Sequence, residues 1–273
     1  MSAGLVCFIC AAGVVRQHVF ANAAISNKRG RADDAPGGLY CRQVFFIISP
    51  SPLQDHERME GILSDTAMQS EHNFRFERAL YTQGFVRIAG TDEAGRGPLA
   101  GPVVAASVVL PQDCDHSVFL DSKKITHKHR LRLYRLLRDI GAFIGIGIVS
   151  AKVIDSINIL QASLLAMKHA VEDMEHSSGK TDFILVDGTF RIPVSVEQLA
   201  LIKGESKSAS IAAASIVAKV ERDALMDALD LHYPCYKFCR NKGYPTRDHR
   251  QAIVRYGPCP DHRKTFKGVK EFV

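Results

Sequence analysis

Apolar positions from residue 86 onward follow two alternating rhythms. Residues 86–91, 103–110, 142–150, 183–186 and 199–203 are runs of strand length, most of them rich in Val and Ile, and the second is closed by Pro111. Between them apolar residues recur at turn spacing. Thr126 is a credible N-cap for a helix through Arg138, with Leu131, Leu133, Tyr134, Leu136 and Leu137 on its apolar face. Residues 157–174 repeat the helical pattern through Ile159, Leu160, Ser163, Leu164, Met167 and Val171. Residues 208–231 form a long alanine-rich helix suited to close packing. Phe76, Leu80, Tyr81 and Phe85 have helical or pre-strand character. This order predicts an α/β domain with a mixed sheet, and no internal repeat is evident.

Residues 1–73 break the pattern. Arg-Gly-Arg, Pro36-Gly37-Gly38 and Ser49-Pro50-Ser51-Pro52 crowd the stretch, with only a short strand candidate at 44–48. This density of glycine, proline and mixed charge predicts a poorly ordered extension before a domain at 74–273. Met59 and Met68 are alternative starts within it. The apolar run at 5–15 is preceded by no Lys or Arg, so it lacks the basic segment of a signal peptide, and it is too short to cross a bilayer. The seven cysteines are an odd number and give no second C-x-x-C beside Cys7 and Cys10, which argues against a zinc site and for a reducing cytoplasm.

With 46% hydrophobic and 23% charged residues among 273, the chain has ordinary globular composition. Its formal charge of +6 is unremarkable, but its distribution is not. After Tyr236, Lys237, Arg240, Lys242, Arg247, Arg250, Arg255, Arg263, Lys264, Lys267 and Lys270 face only Asp248, Asp261 and Glu271. Phe238, Tyr244, Tyr256, Phe266 and Phe272 lie among them. Interleaved bases and aromatics suit a surface that neutralises phosphates and stacks on sugars or bases, although a solvated basic tail would look similar.

The densest chemical signal is Thr91-Asp92-Glu93-Ala94-Gly95-Arg96-Gly97-Pro98. Two acids end a buried strand and enter a glycine turn, which is not a Walker loop because no Gly-Lys-Ser/Thr follows. Strand neighbours point to opposite faces, so Asp92 and Glu93 share a site only if the strand ends or kinks there. Alone, the pair fits an active site and a solvated turn equally well. Asp187 ends a second apolar strand, and carboxylates meeting at strand ends make an all-oxygen site suited to Mg²⁺ or Mn²⁺. Lys203-Gly204-Glu205-Ser206-Lys207-Ser208 then enters the alanine-rich helix, where helix-start amides can receive a phosphate. Glu205 reads there as a further ligand or as a helix-start acid.

Together these segments resemble bacterial ribonuclease HII over residues 74–273. The likeness rests on the 89–98 stretch, Asp121-Ser122-Lys123-Lys124, Asn158-Ile159, Val186-Asp187-Gly188 and Lys203-Gly204-Glu205. It continues in residues 213–219, Arg222-Asp223, residues 241–246, and His262-Arg263 with Phe266. The resemblance implies a ribonuclease H-like α/β fold, a central mixed sheet flanked by helices with a helical C-terminal portion. It implies hydrolysis of the RNA strand of RNA/DNA hybrids and cutting 5′ of ribonucleotides embedded in DNA, with Mn²⁺ or Mg²⁺. The implied metal ligands are Asp92, Glu93, Asp187 and Glu205, the last standing where the family usually has aspartate. Gly95, Arg96, Gly97 and Tyr244 are implied readers of the ribose 2′-OH, the group that distinguishes RNA from DNA. Lys123, Lys124, Lys219 and Lys242 are expected at phosphates. A monomer with no membrane association is expected. The Arg96-bearing turn and the early residues disfavour ribonuclease HIII. A resolvase-like nuclease and a non-catalytic nucleic-acid-binding module are the rival readings.

Overall fold

The computed structural model describes residues 73–119 and 125–273. The expectations for residues 1–72, and for Lys123 and Lys124, lie outside the described residues. A five-stranded sheet of order β3-β2-β1-β4-β5 forms the centre. Its strands are β1 (Ile88–Ala94), β2 (Val103–Val109), β3 (Phe143–Val149), β4 (Phe183–Asp187) and β5 (Glu197–Leu201). β1, β2 and β3 pair antiparallel, whereas β4 runs parallel to β1 and β5 parallel to β4. The sheet is therefore mixed, as the alternation of elements predicts.

The period-2 pattern of β2 shows why helices cover both faces. Ala106 and Val108 join a core with α2 (His127–Asp139) and α4 (Ala209–His232). Val103, Ala105 and Val109 point the other way, into a core built with α3 (Ala151–Ser178). Each face removes a wide apolar surface from water, worth about 25 cal/mol per Å². Ser150 and Thr126 cap α3 and α2 by accepting from Val153 N–H and His129 N–H. α3 starts earlier than the pattern at 157–174 predicts and carries a break at Asn158, with φ 68°. There the Asn158 carboxamide accepts from the amides of Leu160 and Gln161, recapping the helix after the break. Gly147 lets α3 lie directly on β3, because a Cβ there would sit 1.9 Å from the Ala166 carbonyl oxygen.

The ambiguous early segment is helix α1 (Arg75–Thr82), which buries Phe76, Ala79 and Leu80 against Ile88, Phe183 and Leu185. It also delivers the fully buried Glu77, whose carboxylate accepts from Ser208 Oγ (2.6 Å) and the Ser210 amide (3.1 Å). The C-terminal portion is helical, with α5 (Phe238–Asn241) and α6 (Arg247–Tyr256) packed over Leu99, Ala100 and Met226.

Two buried histidines organise this last cluster. Cys259 N–H donates to His262 Nδ1 (2.9 Å), which leaves the proton of that ring on Nε2. That proton points to His249 Nε2 at 3.0 Å, so His249 carries its own on Nδ1 and donates to the Tyr244 carbonyl (2.9 Å). A charged ring would set two N–H groups against each other. Burial, with His249 beside it, pushes His262 down to about 4, and burial also lowers His249. Since the folded value lies below the unfolded 6.5, the unfolded chain binds more protons between the two. This contribution is complete above pH 6.5 and is lost as pH falls toward 4, up to about 3 kcal/mol. We expect the His262 imidazole resonances to show no protonation above pH 5; titration near 6.5 would contradict the assigned tautomers.

Candidate active site

The acids collect where β1 loses its parallel neighbour. β4 pairs with β1 only from Ile88 to Thr91, opposite Phe183 to Val186, while β2 stays paired as far as Ala94. The strand therefore does not end or kink before Asp92, contrary to the condition set for sharing a site. Instead Asp92 and Glu93 remain in β1 beyond the end of its pairing with β4, and Asp187 ends β4 beside them. Asp92 is 4% exposed, and its Oδ1 accepts from the Glu93 amide at 2.7 Å. Ser215, from α4, donates to it as well.

Glu205 enters from the loop after β5. Lys203 adopts a left-handed conformation (φ 57°, ψ 45°), and Gly204–Ser206 make one 3-10 turn that leaves Glu205 7% exposed. The Gly204 amide donates to Asp187 Oδ1 at 2.7 Å, tying the loop to the end of β4. A Cβ on residue 204 would stand 3.0 Å from that oxygen, so glycine permits the approach. The structure thus brings Asp92, Glu93, Asp187 and Glu205 into one electrostatic neighbourhood.

The cost is visible in their proton affinity. Burial raises Asp92 well above the usual carboxylate range, and the charges of Glu93, Asp187 and Glu205 raise it further. Glu93 is raised by burial and by Asp187, and is partly relieved by Arg96, whose Nη1 lies 3.2 Å from Glu93 Oε1. Buried like charges are costly without a counter-ion. A bound cation would offset this repulsion, and an all-oxygen donor set suits a hard divalent ion. Among the described residues no group of three or more Asp, Glu, His or Cys side chains is arranged so that it could hold a metal ion as it stands. Oxygens of three of these acids already accept hydrogen bonds, Asp92 Oδ1 from the Glu93 amide, Glu93 Oε1 from Arg96 and Asp187 Oδ1 from Gly204.

Tyr244 comes to the glycine turn. Its ring carbon Cε1 lies 3.7 Å from where a Cβ on Gly97 would be, and the residue is 41% exposed. Gly95 takes φ +100°, a conformation open chiefly to glycine. Lys219 and Lys242 stand on the same side of the molecule as Asp223 and Asp227, with which they form ion pairs. The pair to the exposed Asp227 is worth at most about 1 kcal/mol, so a phosphate can compete for Lys242, whereas the buried Asp223 holds Lys219 more firmly.

Two expectations fail. The start of α4 is not a phosphate cradle, because Glu77 and Ser208 already take the Ser210 and Ile211 amides. Nor is the basic segment all surface: Arg263 and Phe238 are fully buried, whereas Tyr244, Tyr256 and Phe272 are exposed. Sequence reasoning gave no role to Ser215, Arg222, His249, His262 or Arg263 at this site. Arg222 carried a signal, being a cation on a helix that is otherwise alanine-rich at its buried face.

A mixed sheet with acids gathered at the ends of its adjacent central strands defines the ribonuclease H-like class of nucleases. The ribonuclease H2 structure from Pyrococcus horikoshii superposes on 68% of this chain and 97% of its own, with TM-score 0.55 and 27% identity. Residues 89–269 match the family model for Ribonuclease HII. A ribonuclease HII of Desulfotalea psychrophila is 58% identical over 215 residues, covering 79% of this chain and 96% of the relative. That of Syntrophus aciditrophicus is 50% identical over 192 residues, 70% of this chain and 89% of the relative. The chain belongs to the ribonuclease HII family and is a ribonuclease H, a phosphodiester hydrolase.

Proposed function

We propose that this enzyme hydrolyses the RNA strand of RNA/DNA hybrids and cuts on the 5′ side of ribonucleotides embedded in duplex DNA, leaving 3′-hydroxyl and 5′-phosphate ends. The observation that carries the reading is the group of four acids at and beside the strand ends, where burial first and then the charges of Glu93, Asp187 and Glu205 raise Asp92. Asp92, Glu93, Asp187 and Glu205 would hold two Mg²⁺ or Mn²⁺ ions, with Glu205 reaching the second through one methylene more than aspartate has. When bound, the ions supply a nucleophilic water near neutral pH and neutralise charge on the phosphate and the leaving 3′ oxygen. Arg96, half-exposed beside Glu93, turns its guanidinium to the scissile phosphate or sugar. The Gly95–Gly97 backbone approaches the ribose, and Tyr244 packs on the sugar that follows it, so that a 2′-OH is sensed before cleavage. Lys219 and Lys242 take flanking phosphates, as do Lys123 and Lys124.

We assign the catalytic domain to residues 74–273, acting as a monomer on nucleic acid. The packing of α1 against β1 and β4 supports that boundary. The free thiols of Cys114, Cys235, Cys239 and Cys259 suit the cytoplasm, and among the described residues no helix is long and apolar enough to cross a membrane.

The test is a DNA duplex carrying one ribonucleotide, incubated with Mn²⁺ or Mg²⁺ and sequenced at the cut. One incision 5′ of the ribonucleotide is expected, with none in EDTA and none by Asp187→Asn, which should still bind the duplex. Cleavage that persists in EDTA, or preference for a DNA four-way junction, would refute the reading.

A further inference from the structure

Beneath the glycine turn lie two buried guanidinium groups that the catalytic reading leaves unused. Arg263 Nε donates to the Gly101 carbonyl (3.1 Å), Nη1 to Arg96 (2.9 Å) and Nη2 to Gly95 (2.6 Å). Arg222 Nε donates to Pro102 (3.0 Å), Nη2 to Ala100 (3.3 Å) and Nη1 to the Lys242 carbonyl (3.0 Å). Their relative exposures are 0% and 1%. Among the described residues neither is ion-paired with a carboxylate, and the hydrogen bonds of each go to backbone carbonyls. Two like charges buried together are expensive, and burial with Arg222 nearby pulls Arg263 down to about 9.

The geometry has a directional consequence. With the carbonyls of Gly95 and Arg96 drawn inward to Arg263, the peptide planes of the turn are fixed. Among the described residues the amides of Arg96 and Gly97 donate to no protein acceptor. They remain for an oxygen arriving from outside, in the positive field of the two buried cations. Arg222 adds the second constraint. It joins this turn to the Lys242-Gly243-Tyr244 segment, lies 5.9 Å from the Tyr244 ring centre, and occupies the space a Cβ on Gly95 would need. The Leu99 amide bonds the Gly243 carbonyl (2.8 Å), closing the same link.

We infer that Arg263 and Arg222 are positioning residues for sugar discrimination, holding the amides of the 95–97 turn and the Tyr244 ring at the spacing that reads a 2′-hydroxyl. The inference rests on the proposed substrate class. A lysine at either position keeps the charge but cannot bridge carbonyls with a planar fork.

The experiment measures binding without metal, by fluorescence anisotropy in EDTA, of a DNA duplex with one ribonucleotide and of the same duplex in all-DNA form. The wild type should prefer the first. Arg263→Lys and Arg222→Lys should each lose at least fivefold of that preference while all-DNA affinity changes less than twofold. Circular dichroism reports whether each variant is folded. A merely structural role would weaken both affinities together, and that result, or a folded variant with the wild-type preference, overturns the inference. If neither lysine variant folds, Phe266→Leu removes the ring over which Arg263 lies at 5.1 Å, the support that holds its guanidinium against the carbonyls of the turn. It should lose preference in the same direction, and an unchanged preference overturns the inference. A wild-type protein that binds both duplexes alike yet cuts only the ribonucleotide-bearing one also overturns it. A wild type that neither prefers nor cuts that duplex defeats the substrate assignment instead.

Discussion

Asp92→Asn is expected to remove hybrid cleavage by at least about 10³-fold while making the metal-free protein no less stable, and more stable near neutral pH. The activity half follows from the loss of a full negative charge at the centre of the acid group. The stability half follows from the surroundings of Asp92. Burial and three neighbouring carboxylates raise its affinity for a proton, so ionising it costs the folded state more than the unfolded one. Because the folded value lies above the unfolded one, the folded state binds more protons between them, and stability falls as pH rises through that window. Asparagine abolishes the ionisation and keeps an oxygen that can accept from Ser215 and from the Glu93 amide. Thermal unfolding in EDTA at pH 7.5 should therefore give a melting temperature equal to or above wild type. With Mn²⁺ or Mg²⁺ added the order should reverse, because the wild type gains binding energy that the variant largely loses. A variant that melts lower in EDTA would mean Asp92 is held by donors that outweigh its three neighbours.

The same balance explains what was legible in the sequence. Strand and helix rhythms from residue 86 onward are local properties, so periodicity recovered β1 to β5 and the Thr126 cap without tertiary information. The acids were legible as strand-end carboxylates, and a family resemblance put them in one group. Their proximity depends on β4 lying parallel beside β1 with a pairing that stops at Val186 opposite Thr91, a register that no local pattern encodes. Asn158 interrupts a helix by adopting a left-handed φ and capping the following turn itself, so the hydrophobic pattern continues across the break. Arg263 illustrates the opposite failure. In a run of bases it reads as surface charge, yet it is fully buried, its guanidinium donating to the carbonyls of Gly95, Arg96 and Gly101. Charge in sequence predicts exposure only where no unpaired carbonyls are waiting for a donor.

Two glycines in one turn separate a structural demand from a substrate demand, so Gly95→Ala and Gly97→Ala should fail in different ways. At Gly95 a Cβ would lie 2.0 Å from Arg222 Nε and 2.9 Å from the Pro102 carbonyl oxygen, on a backbone at φ +100°. Backbone strain of about 1–3 kcal/mol and overpacking of about 1–3 kcal/mol both act there. We expect Gly95→Ala to lose roughly 3 kcal/mol or more of stability, with activity falling alongside it. At Gly97 no positive φ is required, and the nearest atom to an added Cβ is Tyr244 Cε1 at 3.7 Å, an ordinary contact. Gly97→Ala should therefore melt within about 0.5 kcal/mol of wild type, as surface substitutions do. Its methyl group would nevertheless stand between the turn and Tyr244, where the ribose must approach the backbone. Cleavage 5′ of a single ribonucleotide should fall about 10²-fold, the cost of an ångström-scale misplacement of the reacting sugar. Denaturant unfolding and initial rates on the same two preparations give the comparison. A Gly97→Ala enzyme with wild-type rates would place the sugar elsewhere, and one that is destabilised as much as Gly95→Ala would show that the space beside Tyr244 belongs to the fold.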